Sequence, residues 1–135
     1  MKKSIIRVIA LSLIAVMMCF ALVSCGGPNS DPSKAEEALE KNGYAAEKLD
    51  GIGLLAFVWA GKGVETVVTG VNKEDATDAV VVIYYEDKDA AATAWEGVEK
   101  YFTENKDKEK ESDYEIKQSG NMIWFGHKDA VKAAK

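Results

Sequence analysis

VETVVTGV, residues 64–71, and AVVVIYYE, residues 79–86, decide the fold class. Both are dense in β-branched and aromatic residues, which suit a pleated surface and lose rotamer freedom in a helix. The stretch between them, NKEDATD, is made of turn-forming polar residues, so the pair reads as two strands joined by a polar turn. In the second strand both alternating sets are apolar: Val80, Val82 and Tyr84 on one side, Val81, Ile83 and Tyr85 on the other. Such a strand belongs in the middle of a sheet, with both faces at least partly covered.

Downstream, Asp87, Lys88 and Asp89 open a helix that runs to about Thr103. Ala91, Trp95, Val98 and Phe102 recur in it at spacings of 4, 3 and 4, one apolar stripe facing the sheet. The run ENKDKEKESD (104–113) contains no aliphatic residue and reads as a solvated helix end and loop. Tyr114 to Gln118 alternates, Ser119, Gly120 and Asn121 turn, and Met122 to Phe125 returns, which predicts a hairpin. His127 to Lys135 reads as a short helix. Upstream, Ser33 and Glu36 form a capping-box pattern at the start of a helix over about 33–41, and Asn42-Gly43 supplies its left-handed exit. Residues 44–63 are the hardest to read. The six apolar residues Leu54 to Trp59, flanked by glycines, do not separate strand from helix by periodicity, and a buried irregular or helical piece is expected there. The whole is an α+β domain in the order α-β-β-α-β-β-α: an antiparallel sheet of about four strands with two or three helices packed on one face.

Near the start, Lys2, Lys3 and Arg7 precede Val8 to Val23, 16 residues interrupted only by Ser12 and short of the about 20 that a membrane-spanning helix needs. This is the pattern of a secretory signal. Leu22-Val23-Ser24-Cys25 resembles the lipobox of bacterial lipoproteins. That resemblance implies a signal peptide over 1–24, cleavage behind Ser24 and a diacylglyceryl group on Cys25. Two acyl chains anchor a protein stably where one does not. It places the protein on the extracytoplasmic face of the cell membrane, held through the lipid on Cys25. Residues 25–30 then serve as a short flexible tether and 31–135 as a single domain. KQSGNMIWFGHKDAVKAAK, residues 117–135, is similar to the ends of small uncharacterised lipoproteins of Gram-positive bacteria.

Without Lys2, Lys3 and Arg7, the 17 basic residues fall to 14 against 22 acidic ones, a net charge of −8 on residues 25–135, and no arginine remains. Nucleic acid is therefore not expected as a partner. Once Cys25 carries lipid and Cys19 leaves with the signal, no thiol remains for a disulfide, a nucleophile or a zinc–thiolate site.

The search for chemistry returns little. Gly51-Ile52-Gly53-Leu54-Leu55-Ala56 fits G-x-G-x-x-A by letter, but a helix-like AAEKLD precedes it where a strand of a parallel unit is required. Gly61-Lys62-Gly63 lacks the Ser or Thr of a phosphate loop. The single histidine, His127, stands two residues before Asp129, and with Ser119 in the adjoining turn a hydrolytic triad is conceivable on paper. Ser119 is ordinary turn chemistry, however, and His127 begins a helix. Asp75 with Asp78, and Glu86 with Asp87 and Asp89, offer hard oxygens for Ca²⁺ without the loop pattern of a calcium site. No catalytic residue, metal ligand or cofactor is assigned. Among the aromatic residues Trp59, Trp124 and Tyr85 are the candidates for a ligand surface, with core packing the commoner role of each. The expected function is a non-catalytic binding module that meets an envelope protein, peptide or glycan through a sheet face or edge. The alternatives are a small envelope hydrolase using His127 and an inhibitor-like protein acting on another enzyme.

Overall fold

The two strands that decide the class form the centre of the sheet. The computed structural model describes residues 27–106 and 112–135; the segment expected to be a signal peptide, the expected lipidation site Cys25 and residues 107–111 of the charged run lie outside the described residues. Helix α1 (Pro32–Lys41) leads into β1 (Tyr44–Leu49), a 3-10 helix (Gly51–Ala60), β2 (Val64–Asn72), β3 (Ala79–Tyr85), α2 (Lys88–Asn105), β4 (Tyr114–Ser119), β5 (Met122–His127) and α3 (Lys128–Ala133). The strands make one sheet in the order β1-β2-β3-β5-β4, every pair antiparallel. The α+β class stands as read from the sequence.

Three details differ from the expectation. The sheet has five strands rather than about four, because YAAEKL pairs with β2 as an edge strand from Tyr44↔Asn72 to Leu49↔Val67. The helices cover both faces rather than one. Ala35 and Leu39 of α1, with Ala130 and Val131 of α3, close the face of Val68, Val82, Tyr84 and Trp124. Ala91 and Val98 of α2, with Ala60 of the 3-10 helix, close the face of Val67, Ile83, Tyr85 and Ile123. This is what the two-sided apolar character of β3 requires: each alternating set has its own roof. Finally, α1 is capped by Asp31, whose Oδ1 accepts from the Ser33 amide at 2.9 Å, with Pro32 at the first helical position. Proline there loses only an amide that the helix leaves unpaired anyway, so the start moves ahead of the Ser33 capping box.

The stretch read as a flexible tether is seated from Gly27 onward. Gly27 and Pro28 are buried. The Asn29 amide donates to the Ala134 carbonyl at 2.8 Å, and the Tyr84 hydroxyl donates to the Asn29 carbonyl at 2.6 Å. A Cβ at Gly27 would stand 2.6 Å from Cη2 of Trp124, so only a glycine backbone can lie on that ring. Gly-Pro-Asn-Ser composition does not distinguish a linker from a strap; the indole beneath it does. No helix among the described residues is long and apolar enough to cross a membrane.

Candidate functional site

The register brings one end of every strand except the β4–β5 turn side to a common rim: Tyr44 opposite Asn72, Val71 opposite Ala79, and Tyr114 opposite His127. The loop between β2 and β3 folds over this rim by local polar bonds. The Glu74 amide donates to Asn72 Oδ1 at 2.9 Å and the Thr77 amide to Asp75 Oδ1 at 3.0 Å. The Asn72 amide donates to the Asp78 carbonyl at 2.8 Å, closing the loop. These Asx turns direct the Asp78 side chain inward. Asp78 is 8% exposed and is the buried charged residue of the described core.

Its two oxygens are treated unequally. Oδ2 accepts from the Tyr44 hydroxyl at 2.7 Å and from Asn72 Nδ2 at 3.0 Å. Burial, together with the Asp78 carboxylate that its hydroxyl faces, holds the Tyr44 phenol well above its ordinary pKa, so it remains a donor. Oδ1 has no hydrogen-bond partner and lies 3.5 Å from Nδ1 of His127. His127 caps α3, its Nδ1 accepting from the Asp129 amide at 3.2 Å, and the Asp129 carboxylate is 3.7 Å from the same nitrogen. The edge of the Tyr114 ring meets the imidazole at 5.7 Å and 85°, and the Tyr114 hydroxyl donates to the Thr77 carbonyl at 3.0 Å. Beside this rim, on the α2 side of the sheet, an apolar cleft of about 260 Å³ runs between Phe102, Val81 and Phe125, bordered by Thr77, Tyr114 and Gly126.

The structure separates the paper triad. Ser119 pairs with Met122 at one end of the hairpin and His127 with Tyr114 at the other, about 17 Å away at roughly 3.3 Å per residue. The two acidic groups resolve into separate roles. Asp75 is occupied by Thr77, which also donates its hydroxyl at 2.7 Å. Asp87 caps α2 through the Ala90 amide at 2.8 Å. A strand does precede Gly51, contrary to the helix-like reading of AAEKLD, but β1 and β2 are antiparallel and the glycines open a 3-10 helix, so no dinucleotide unit forms.

Of the aromatic candidates, Trp124 and Tyr85 are core residues, 2% and 0% exposed. The Tyr85 hydroxyl donates to the Ala60 carbonyl at 2.7 Å, and burial pushes its pKa up to about 12. Neither offers a ring to a ligand. Trp59 is half-buried and stacked on Tyr101, with ring centroids 3.8 Å apart and planes 4° from parallel.

The surface feature that the sequence reading missed lies beside Trp59. Two 3-10 turns meet at a kink at Phe57. With three residues per turn, side chains at i and i+3 stand in line. Leu54, Phe57 and Ala60 therefore face the core, while Ile52, Leu55 and Val58 form a ridge that is 86%, 70% and 74% exposed. The period of three is visible in GIGLLAFVWA once it is looked for; tests at 3.6 and 2 pass over it. The stack of Trp59 on Tyr101 of α2 fixes the ridge to the fold. Comparison of the chain with protein-family models, curated proteins and solved structures gives no match.

Proposed function

We propose that the chain is a non-catalytic interaction module, anchored by lipid on Cys25 to the extracytoplasmic face of the cell membrane, which holds a protein partner on the ridge of Ile52, Leu55 and Val58. The observation that carries this reading is the ridge itself: three large aliphatic side chains, all exposed, on a segment locked to α2 by an aromatic stack. Both sheet faces lie under helices, so the expected sheet-face contact moves to this segment. The position of Gly27 supports a protein rather than the bilayer as occupant. Gly27 lies on Trp124, which belongs to the sheet face opposite the 3-10 helix. Cys25 is two residues of chain away, at most about 7 Å, so a lipid there would attach on the side of the sheet opposite the ridge. With a net charge of −8 on residues 25–135, the matching partner surface is an apolar groove with a basic border.

The anchor is tested by lipid labelling of cells expressing Cys25→Ala. Loss of label and release of the protein from the membrane fraction are expected; label unchanged by the substitution overturns the anchor. The ridge is tested with Ile52→Ser, Leu55→Ser and Val58→Ser combined. Exposed substitutions of this kind change stability by only about 0.5 kcal/mol each. The variant should melt close to the parent and lose its crosslinks in native membranes, whereas crosslinks identical to the parent's would rule the ridge out.

A further inference from the structure

Three side chains converge on the rim: Asp78, His127 and Asp129 each place one ligand-type atom within 4.8 Å of the other two. Nδ1 faces the Asp129 amide at 3.2 Å and two carboxylate oxygens at 3.5 Å and 3.7 Å, and in a neutral ring it offers one lone pair. Asp78 Oδ1, with less than 1 Å² of exposed surface and no donor, faces that same nitrogen at 3.5 Å. A buried carboxylate oxygen without a partner, set against an imidazole lone pair, is an arrangement that a cation between them would complete. A single proton satisfies one pair of these acceptors; a metal ion satisfies all three.

We propose that Asp78, His127 and Asp129 form a binding site for a divalent metal of the Zn²⁺ class. The donor set fits: one imidazole and two carboxylates suit zinc, whereas Ca²⁺ and Mg²⁺ favour six or more oxygens. The two distances from the imidazole fit as well. Nδ1 stands 3.5 Å and 3.7 Å from the two carboxylate oxygens, and ligands of a tetrahedral ion at about 2.1 Å are about 3.4 Å apart. Coordination replaces the 3.2 Å amide contact at Nδ1, which is at the long end for a hydrogen bond. The supporting contacts are those that orient metal ligands elsewhere in proteins. Tyr44 and Asn72 engage Oδ2 of Asp78 and turn Oδ1 to the site, while the Tyr114 ring fixes the imidazole plane. The Asp129 side chain is 70% exposed, which gives the ion a path in and leaves a coordination position for a donor from solvent.

His127 is the only histidine of the chain, so its ring nitrogens can be read without ambiguity. The experiment is a titration of the full chain, in detergent and chelator-treated buffer, with Zn²⁺ alone, followed by calorimetry and by ¹⁵N spectra of the imidazole. One ion per chain is expected, with the Nδ1 resonance shifting and Nε2 keeping its proton. Asp129→Ala, which removes only an exposed side chain, should weaken binding about tenfold or more, and Asp78→Asn about a hundredfold. Should Asp78→Asn fail to fold, Asp129→Ala alone carries the test. Absence of heat at millimolar Zn²⁺ overturns the site, as does an Nδ1 that responds to protons and not to zinc, or an affinity indifferent to Asp129→Ala.

Discussion

Gly126→Ala is expected to remove a large share of the stability of the native fold. Gly126 lies in β5 opposite Val80 of the central strand β3, with a φ of +148°. A Cβ built there would lie 2.7 Å from Val80 Cα and 3.1 Å from the Ala79 carbonyl carbon, and nearer still to the Ala79 carbonyl oxygen. All three are backbone atoms of the strand that holds the sheet together, so no side chain can turn aside. Relief requires β5 to move off β3, which breaks the ladder over Val81↔Phe125 and Val82↔Trp124. Strain in a disallowed backbone region costs about 1–3 kcal/mol, and overpacking of a fixed core adds about 1–3 more. Against a total stability of about 5–15 kcal/mol for a domain, a sum of about 2–6 kcal/mol removes a large share. Circular dichroism and urea titration check it: the variant should lose a large share of its midpoint. Gly120→Ala is the control. Gly120 also has a positive φ, +57°, but nothing lies within 4 Å of a Cβ there, so the cost is limited to the left-handed backbone, about 1–2 kcal/mol.

Trp124→Ala is expected to be the most damaging large-to-small substitution, at about 3–5 kcal/mol. Trp124 is 2% exposed and heads the fully buried side chains by volume. It also carries the strap, since Gly27 lies directly on its six-membered ring. Removing the indole opens a cavity and leaves the strap without a floor. Urea denaturation measures the first effect, and limited proteolysis the second, with cleavage between residues 27 and 31 rising in the variant and not in the parent. Trp124→Phe should cost much less. The indole Nε1 is buried with no hydrogen-bond partner, so its loss recovers part of a desolvation penalty of about 1–3 kcal/mol.

How far the sequence revealed this molecule depends on whether a residue's role is local. VETVVTGV and AVVVIYYE are strands because of what they are made of, and the α2 stripe of Ala91, Trp95, Val98 and Phe102 announces its helix by spacing. The hairpin of β4 and β5 follows from alternation and from Gly120. YAAEKL does not fit that scheme. Ala, Glu, Lys and Leu favour a helix, and the segment is a strand because β2 offers it an unpaired edge, a tertiary effect that local propensity does not contain. The rim shows the same limit. The proximity of His127 to Asp129 is written in two residues of sequence, but Asp78 reaches His127 only through the β3–β5 pairing, and Tyr44 reaches Asp78 only through β1 and β2. Trp124 and Tyr85 differ from Trp59 in exposure because they alternate along central strands, whereas Trp59 lies on a helix whose period is three.

The strap has one more consequence, for the order in which the molecule comes together. Asn29 is tied to the carbonyls of Ala134 and Lys135, the latter 106 residues away along the chain. Contacts of such separation form late, because the entropy of closing the loop comes due before the contact repays it. A chain synthesised from its N-terminus therefore exposes Trp124 and its neighbours until Ala134 has emerged. The roof over that face is the last part of the protein to be completed.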